Sequence, residues 1–146
     1  MDPITSSKLE IESRVTMPAD ELSDLATAIF EKLGCDADIA RMTAEHLVEA
    51  SLSGVESHGF MRVIQYAEQM ESGYMSPSGH PSLHQNERGA WFVNGHDGIG
   101  IPAVQMAVDK GVELAKGSGI SVVAVEHCGH TGRLGAFVES LSLIHI

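Results

Sequence analysis

Two short segments carry side chains whose types and spacing suit acid–base chemistry on an anionic molecule. In the first, residues 57–62 read Ser-His-Gly-Phe-Met-Arg. His58 and Arg62 are four residues apart, a spacing that on a helix places both on one face about one turn apart. The guanidinium would bind a carboxylate while the imidazole passes a proton to the oxygen on the neighbouring carbon. Ser57 would cap the helix or bind the substrate. From spacing alone, a capping serine, a glycine hinge and a surface His–Arg pair remain the alternative.

The second segment, residues 127–135, reads His-Cys-Gly-His-Thr-Gly-Arg-Leu-Gly and follows the β-branched run 120–125. Ligand sites in α/β proteins lie at the carboxyl ends of sheet strands. The glycines, Gly132 among them, allow a ligand to approach the backbone closely, and the N-terminus of the helix that follows favours an anion. His130 is the candidate for chemistry here. A glycine-rich turn from strand to helix, without a function, is the alternative.

Two further features could bind a metal or a phosphate. His127, Cys128 and His130 are metal-ligand types, but their spacing gives no pair on one face, so we expect no metal. Residues 95–100, Gly-His-Asp-Gly-Ile-Gly, invert the dinucleotide-binding fingerprint and precede a helix. Both a phosphate cradle and a structural turn therefore stay open for this loop.

Three amphipathic helices must position the first segment. Apolar residues recur at helical spacing over 22–33, after Thr16 as a cap and before Gly34 as a terminator. The same pattern predicts a second helix from Asp36 to just before Gly54, and a third over about 59–72, with Ile64 on its buried side.

The pattern changes after Gly73. Two short strands are predicted over 83–85 and 90–94, joined by a turn of hairpin length. A helix follows from Pro102, then the run 120–125, which is typical of a strand buried on both faces. A last helix is predicted to begin at about Leu134.

The composition excludes several classes of protein. The chain has 146 residues, of which 43% are hydrophobic and 20% charged, and its net charge of −11 argues against nucleic-acid and anionic-membrane partners. No apolar run approaches the ~18 residues of a membrane span, and the first residues lack the apolar core of a signal peptide. Cys35 and Cys128 are too few for a disulfide framework; we interpret both as structural and expect a reducing cytoplasm.

Taken in order, these segments resemble one family. They are similar to the malate/L-lactate dehydrogenases that do not use the ordinary Rossmann fold, and the Gly-Arg-Leu-Gly run resembles the hydroxycarboxylate dehydrogenase branch. The resemblance covers about 15–139, and the chain has Ser51 and His127 where members often have Asp and Asn. The likeness rests on residues 54–59, Arg62, Tyr66, Gly73, Pro77, the glycines of 94–100 and residues 130–135.

The resemblance implies an NAD(P)-dependent 2-hydroxyacid dehydrogenase, with NAD or NADP as cofactor. It makes His58 and His130 the two active-site histidines, Arg62 the ligand of the substrate carboxylate, and Ser57 a substrate-binding neighbour. Gly132 is the one candidate cofactor contact, and the remaining contacts are expected downstream of this chain. The family also implies a homodimer with its site near the subunit boundary.

The expected fold class is α/β: an N-terminal helical unit and then the start of a mixed-sheet α/β/α cofactor domain like that of sulfolactate dehydrogenase, truncated. The expected divisions are a leader (1–15), the helical unit (16–75), the first part of the cofactor and substrate domain (76–140) and a candidate foreign tail (141–146). We therefore expect a fragment of a longer oxidoreductase that is inactive alone. A non-catalytic dimerisation or binding fragment and, more remotely, a His/Cys metal hydrolase are the alternatives.

Overall fold

The computed structural model describes residues 15–143, so most of the expected leader and the last three residues of the expected tail lie outside the described residues. Helices precede the sheet in the chain. The elements, in order, are α1 (Ala19–Lys32), α2 (Ala37–Leu52), a 3₁₀ turn (Glu56–His58), α3 (Arg62–Glu71), β1 (Ser82–Gln85), β2 (Trp91–Gly98), α4 (Gly100–Ser118), β3 (Val123–Cys128) and α5 (Leu134–Leu143).

Helices α1, α2 and α3 pack around side chains that are fully removed from solvent. Phe30 of α1, Leu47 of α2 and Tyr66 of α3 are each 0% exposed, and the Phe30 and Tyr66 ring centroids lie 6.1 Å apart. Burial of a side chain of this size stabilises a fold by about 1.5–3 kcal/mol. The predicted apolar stripes therefore form one core, which fixes α3 against the other two helices.

The five predicted helices are all found, but three of them begin at other residues than predicted, and α4 is one of these because it begins at Gly100 rather than at Pro102. Helix α1 begins after Pro18, which occupies the N-cap position that was expected for Thr16. Helix α3 begins at Arg62 rather than at about Gly59, because the chain before it forms the 3₁₀ turn. Ile64, expected on the buried side of α3, is 69% exposed.

The three strands form one mixed sheet in the order β1-β2-β3. Strand β1 pairs antiparallel with β2, and β2 pairs parallel with β3, so α4 is the crossover between the parallel strands. Helix α4 ends at Gly119, whose φ of 78° is the left-handed cap conformation that glycine adopts without strain. No helix within residues 15–143 is long and apolar enough to cross a membrane.

The strand expected over 120–125 lies over Val123–Cys128 instead, and burial on both faces is wrong for this structure. Ile120 and Val122 precede the strand and are 77% and 83% exposed. No side chain of β3 is fully buried, because β2 is its only neighbour in the sheet among the described residues. A β-branched run predicts a strand, but pairing with β2 sets its bounds.

Strand β2 continues through the loop expected at 95–100. Three of its residues, 95–97, stand opposite His127 alone, which makes an irregular bulge between β2 and β3. His96, Asp97 and His127 have φ of 50°, 57° and 49°. Just beyond the bulge, the Gly129 N–H donates to the Gly98 carbonyl at 2.8 Å. The bulge thus leads the chain after β3 back toward the start of α4.

Candidate active site

The two histidines expected to do chemistry face each other across a small cavity. The His58 and His130 ring centroids lie 5.2 Å apart. Both rings line a cavity of about 330 Å³, which is bounded further by Val55, Thr131, Gly132, Arg133 and Leu134. This volume falls at the lower end of the range for small-molecule sites, about 300–1,000 Å³.

Arg62 is close to His58, but the two do not share a helix face as the spacing predicted. His58 ends the 3₁₀ turn, and α3 begins at Arg62. The guanidinium folds back over this turn: Nε donates to the Ser57 carbonyl at 2.5 Å, and Nη1 donates to Gln65 Oε1. The Ser57 hydroxyl lies 2.9 Å from His58 Nδ1. Ser57, His58 and Arg62 therefore form one connected turn.

Helix α2 anchors the chain between His58 and Arg62. The Phe60 N–H donates to Ser51 Oγ at 2.8 Å, and a Cβ at Gly59 would overlap the same oxygen. Glycine is therefore required after His58, because the turn passes directly over the Ser51 hydroxyl. Ser51, which stands where family members often have Asp, is thus the residue that anchors this turn.

His130 is oriented by two partners on one ring nitrogen. Tyr66 Oη lies 2.7 Å from His130 Nδ1, and the Gly132 backbone N–H donates to that nitrogen at 3.2 Å. Since a backbone N–H can only donate, Nδ1 is bare and the neutral ring carries its proton on Nε2. Burial lowers the pKa of His130, and the positive charges of Arg62 and the neighbouring histidines lower it further.

Tyr66, which the sequence indicated only through the family likeness, contacts the site through its hydrogen bond with His130. Burial raises the pKa of Tyr66, although the charge of Arg62 opposes this, so the hydroxyl keeps its proton. Tyr66 follows Arg62 by four residues on α3, directly below it on the helix surface. The spacing of four residues places Arg62 and Tyr66 on one face of α3, but no local spacing could have predicted the contact between Tyr66 and His130.

A second group of residues, which the sequence did not predict, holds the loop after β3 from the side of α2. His46 Nε2 accepts the Arg133 N–H at 2.9 Å, and its ring stacks on Phe137 with centroids 5.0 Å apart. The Arg133 guanidinium binds Glu49 at 2.7 Å and Glu139 at 2.8 Å. Hydrogen bonds to both carboxylates raise the pKa of Arg133, and the bond from Arg133 lowers that of Glu139. No short-range spacing indicates contacts between residues so far apart in sequence.

Gly132, the expected cofactor contact, has a packing role in this structure. Its φ is 70°, and a Cβ there would overlap the His46 ring. Its N–H is directed at His130 Nδ1, and the nearby Gly100 N–H donates to the His130 carbonyl at 3.1 Å. In the loop at 95–100, the residues up to Gly98 belong to β2, and the His96 and Gly100 N–H groups donate to Asn94 Oδ1 and to the His130 carbonyl, so the arrangement favours the structural turn of the two alternatives.

One group of potential metal ligands comes together in the part of the chain that the structure describes. Within residues 15–143, Asp36, Asp38 and His80 are the three potential ligands whose atoms lie within 4.8 Å of one another, and all three are exposed. His127, Cys128 and His130 do not form such a group among these residues. The ligand types that come together among these residues thus lie away from the loop after β3, and the expectation of no metal there stays a prediction.

Comparison with known proteins identifies one family. A sequence model described as malate/L-lactate dehydrogenase matches residues 17–142. Hydroxycarboxylate dehydrogenase B of Escherichia coli O157:H7 is 29% identical over 129 residues, which are 88% of this chain and 36% of that protein. Malate dehydrogenase of Pyrococcus abyssi is 31% identical over 128 residues, 86% of this chain and 35% of that protein.

Solved structures give the same result. A putative malate/lactate dehydrogenase from E. coli superposes with a TM-score of 0.81 at 27% identity, covering 89% of this chain and 36% of that one. Sulfolactate dehydrogenase from Methanocaldococcus jannaschii superposes with a TM-score of 0.80 at 25% identity, covering 86% and 37%. The chain thus spans little more than a third of the length of the relatives it matches.

Proposed function

Since this chain belongs to the malate/L-lactate dehydrogenase family, we propose that it is the N-terminal part of an oxidoreductase that interconverts 2-oxo and 2-hydroxy acids with NAD(P)H. The observation that carries the proposal is the cavity between His58 and His130. Tyr66 and Arg62 do not line it, but Tyr66 is hydrogen-bonded to His130 and the charge of Arg62 acts on the same ring. A cationic residue and fixed imidazoles around a small cavity suit a short carboxylic acid.

The cavity suits a small carboxylic acid in size but is too small for a whole dinucleotide cofactor. The cavity of about 330 Å³ has room for a small acid, and the Gly132 amide is already engaged by His130. A nicotinamide cofactor, NAD or NADP, would supply the hydride. Its binding residues are proposed to lie mostly in sequence outside this chain, and Gly132 as a cofactor contact stays a prediction.

His130 is the residue we assign to proton transfer. Reduction adds a hydride to the C2 carbon of a 2-oxo acid, and the carbonyl oxygen then takes a proton to become the hydroxyl. Protonated His130 gives up its Nε2 proton to this oxygen, and the Tyr66 hydroxyl accepts from the Nδ1–H that remains. Proton exchange with solvent then restores the neutral ring of the structure, with its proton on Nε2 and a bare Nδ1 that accepts from Tyr66 and from the Gly132 N–H.

Arg62 is assigned to the substrate carboxylate. Its Nε and Nη1 already hold the turn, which leaves the Nη2 hydrogens for an incoming anion among the described contacts. The anion would also offset the positive charge that lowers the pKa of His130, so that substrate binding favours the protonated ring that reduction needs. His58, with Ser57 on its Nδ1, borders the same space.

The test is steady-state reduction of short 2-oxo acids by the longer protein, followed through nicotinamide absorbance. His130→Ala is expected to lower kcat by ~10²–10⁴-fold. Arg62→Lys keeps the charge but loses the planar fork, so it is expected to raise KM more than it lowers kcat. Full kcat in a folded His130→Ala variant would refute the assignment of proton transfer to this ring.

The same assay needs one further substrate class. One relative, 31% identical over 125 residues, is named a Δ1-pyrroline-2-carboxylate/Δ1-piperideine-2-carboxylate reductase from Pseudomonas putida. Its named substrates also carry a carboxylate beside the double bond, so they belong in the panel. Turnover of the cyclic imine alone would move the proposed function to imine reduction. The homodimer and the cytoplasmic location stay predictions.

A further inference from the structure

His46 takes no part in the proposed reaction, yet it contacts the loop that carries His130. Its Nε2 accepts the Arg133 N–H at 2.9 Å, and its ring stacks on Phe137 of α5. A backbone N–H can only donate, so this Nε2 carries no proton and the neutral ring has its proton on Nδ1. The acceptor comes from α2, whose fully buried side chains, such as Leu47, belong to the core of the helices.

A short chain of contacts leads from His46 to the His130 ring. The His46 ring occupies the space where a side chain at Gly132 would lie. The Gly132 N–H in turn donates to His130 Nδ1 at 3.2 Å, and the next residue, Arg133, donates its N–H to His46. His46 thus fixes two consecutive residues, and one of them sets the orientation of His130.

We propose that His46 is a positioning residue whose unprotonated ring fixes the loop of residues 129–133 and thereby orients His130. Protonation of Nε2 would replace an acceptor by a donor facing the Arg133 N–H, and the hydrogen bond would be lost. The loop is therefore held at neutral pH and released in acid. The inference uses the proposed function only for the task of His130, since the contacts exist whatever the substrate.

The charges around His46 determine where this release occurs. Glu45 and Glu49 lie on its own helix, Glu139 lies on α5, and Arg133 and His130 lie in the loop. Glu49 and Glu139 both bind Arg133, so much of their negative charge is already compensated. Burial is the largest influence and lowers the pKa of His46, with Glu49 opposing it and Arg133 adding to it. Release is expected below the ordinary histidine pKa of about 6.5.

Two variants separate the hydrogen bond from the ring. His46→Gln keeps an acceptor near the position of Nε2 but cannot titrate. His46→Phe keeps an aromatic ring against Phe137 but has no acceptor. His84→Phe is the matched control, because His84 also stacks on a phenylalanine, Phe92, at 5.3 Å but lies on β1.

The primary measurement is hydrogen exchange of the Arg133 amide in the full chain, by NMR, between pH 5 and 8. After correction for intrinsic exchange rates, wild type is expected to protect this amide at neutral pH and to lose the protection in acid. His46→Phe should exchange roughly tenfold faster at neutral pH, the order expected for loss of one hydrogen bond. His46→Gln should stay protected with no loss in acid, and His84→Phe should follow wild type.

Equal protection of the Arg133 amide in wild type and in folded His46→Phe would overturn the proposal. If His46→Phe does not fold, His46→Gln decides: an acid-dependent loss of protection like that of wild type would also overturn it. The NMR titration of the His130 ring gives the functional link and should change in His46→Phe. None of these measurements requires turnover, so they separate failure of this inference from failure of the proposed function.

Discussion

The helical half of the chain (19–71) and the sheet half (82–143) bury their apolar side chains to different extents. Phe30, Leu47 and Tyr66 in the helical half are 0% exposed. In the sheet half, the second core cluster has only three buried members, Val93, Ala103 and Ala107, and every side chain of β3 retains some exposure. The core of the helices extends to Ile99, Ile101 and Phe137, so the start of α4 and α5 pack onto it, whereas β3 is covered less completely by the described residues.

This difference bears directly on the site, because one histidine comes from each half. His58 precedes α3, whereas His130 follows the partly covered strand β3. The loop of His130 is held by contacts to the helical half: Tyr66 to its ring, His46 to its backbone, and Glu49 to Arg133. The better-packed half therefore holds the loop of the other half in place and orients His130.

The largest expected effect is a difference in stability between matched truncations in the two halves. Leu47→Ala removes a side chain that is 0% exposed, and it is expected to lower the free energy of unfolding by about 2–5 kcal/mol. Val123→Ala in β3 removes a partly exposed side chain and should cost about 1 kcal/mol or less. Urea unfolding of both variants measures the two values. Equal losses would remove the distinction between the halves.

The next effect concerns the point where α4 meets the loop of His130. A Cβ at Gly100 would overlap the carbonyl oxygen of Gly129, so Gly100→Ala is expected to cost about 1–3 kcal/mol. Gly117 lies inside the same helix with open space around it, and Gly117→Ala should instead stabilise the chain by about 0.5–1 kcal/mol. Thermal melting of the two variants provides the comparison. A neutral Gly100→Ala variant would mean that the loop moves away freely.

A smaller effect should be seen when pH is lowered. The pKa values of His46 and His130 are both depressed in the fold, chiefly by burial, so the unfolded chain binds more protons below about pH 6.5. Stability is therefore fully present above that pH and is progressively lost as pH falls through the depressed pKa values. His130→Asn keeps an acceptor for Gly132 and should make the decline shallower. An identical slope in this variant would contradict the burial argument.

The smallest effect compares one thiol from each half. Cys35 is buried beside Met70, and burial, with Asp36 adding to it, raises its pKa to about 11. Roughly a thousandth of it is thiolate at pH 8. Cys128, at the end of β3, is less buried, although burial raises its pKa too. A disulfide reagent should modify Cys128 first, and both should react rapidly in denaturant. Faster reaction at Cys35 would show that the helical core opens more readily than the sheet.

Local patterns in the sequence predicted most of the fold. The apolar stripe that ends at Gly34, the cap at Asp36 and the helix from Leu134 are all found, because each depends on neighbours within a few turns. The bounds of β3 were wrong, because pairing with β2 sets them. The course of β2 through residues 95–98 was missed for the same reason, since a bulge is a property of two strands together.

The residues of the candidate site were likewise predicted only in part. His58, Arg62 and His130 were named from their types and spacing, and the structure brings the two histidines together. His46 was missed because its partner, Arg133, lies far away in the sequence. Under the proposed function, reduction through His130 is expected to lose kcat/KM as pH rises through a pKa that burial and nearby positive charges hold below the ordinary histidine value.

The residues that line the cavity differ in how strongly the rest of the structure constrains them. His130 is constrained at both its ring and its carbonyl, so drift at its anchors would disturb the reaction itself. Val55 and Leu134 border the same cavity, and Leu134 is 60% exposed at the first position of α5. Neither side chain takes part in the contacts that hold His130. Under the proposed function, changes at these two positions would alter which acids fit the cavity and leave the orientation of His130 as it is.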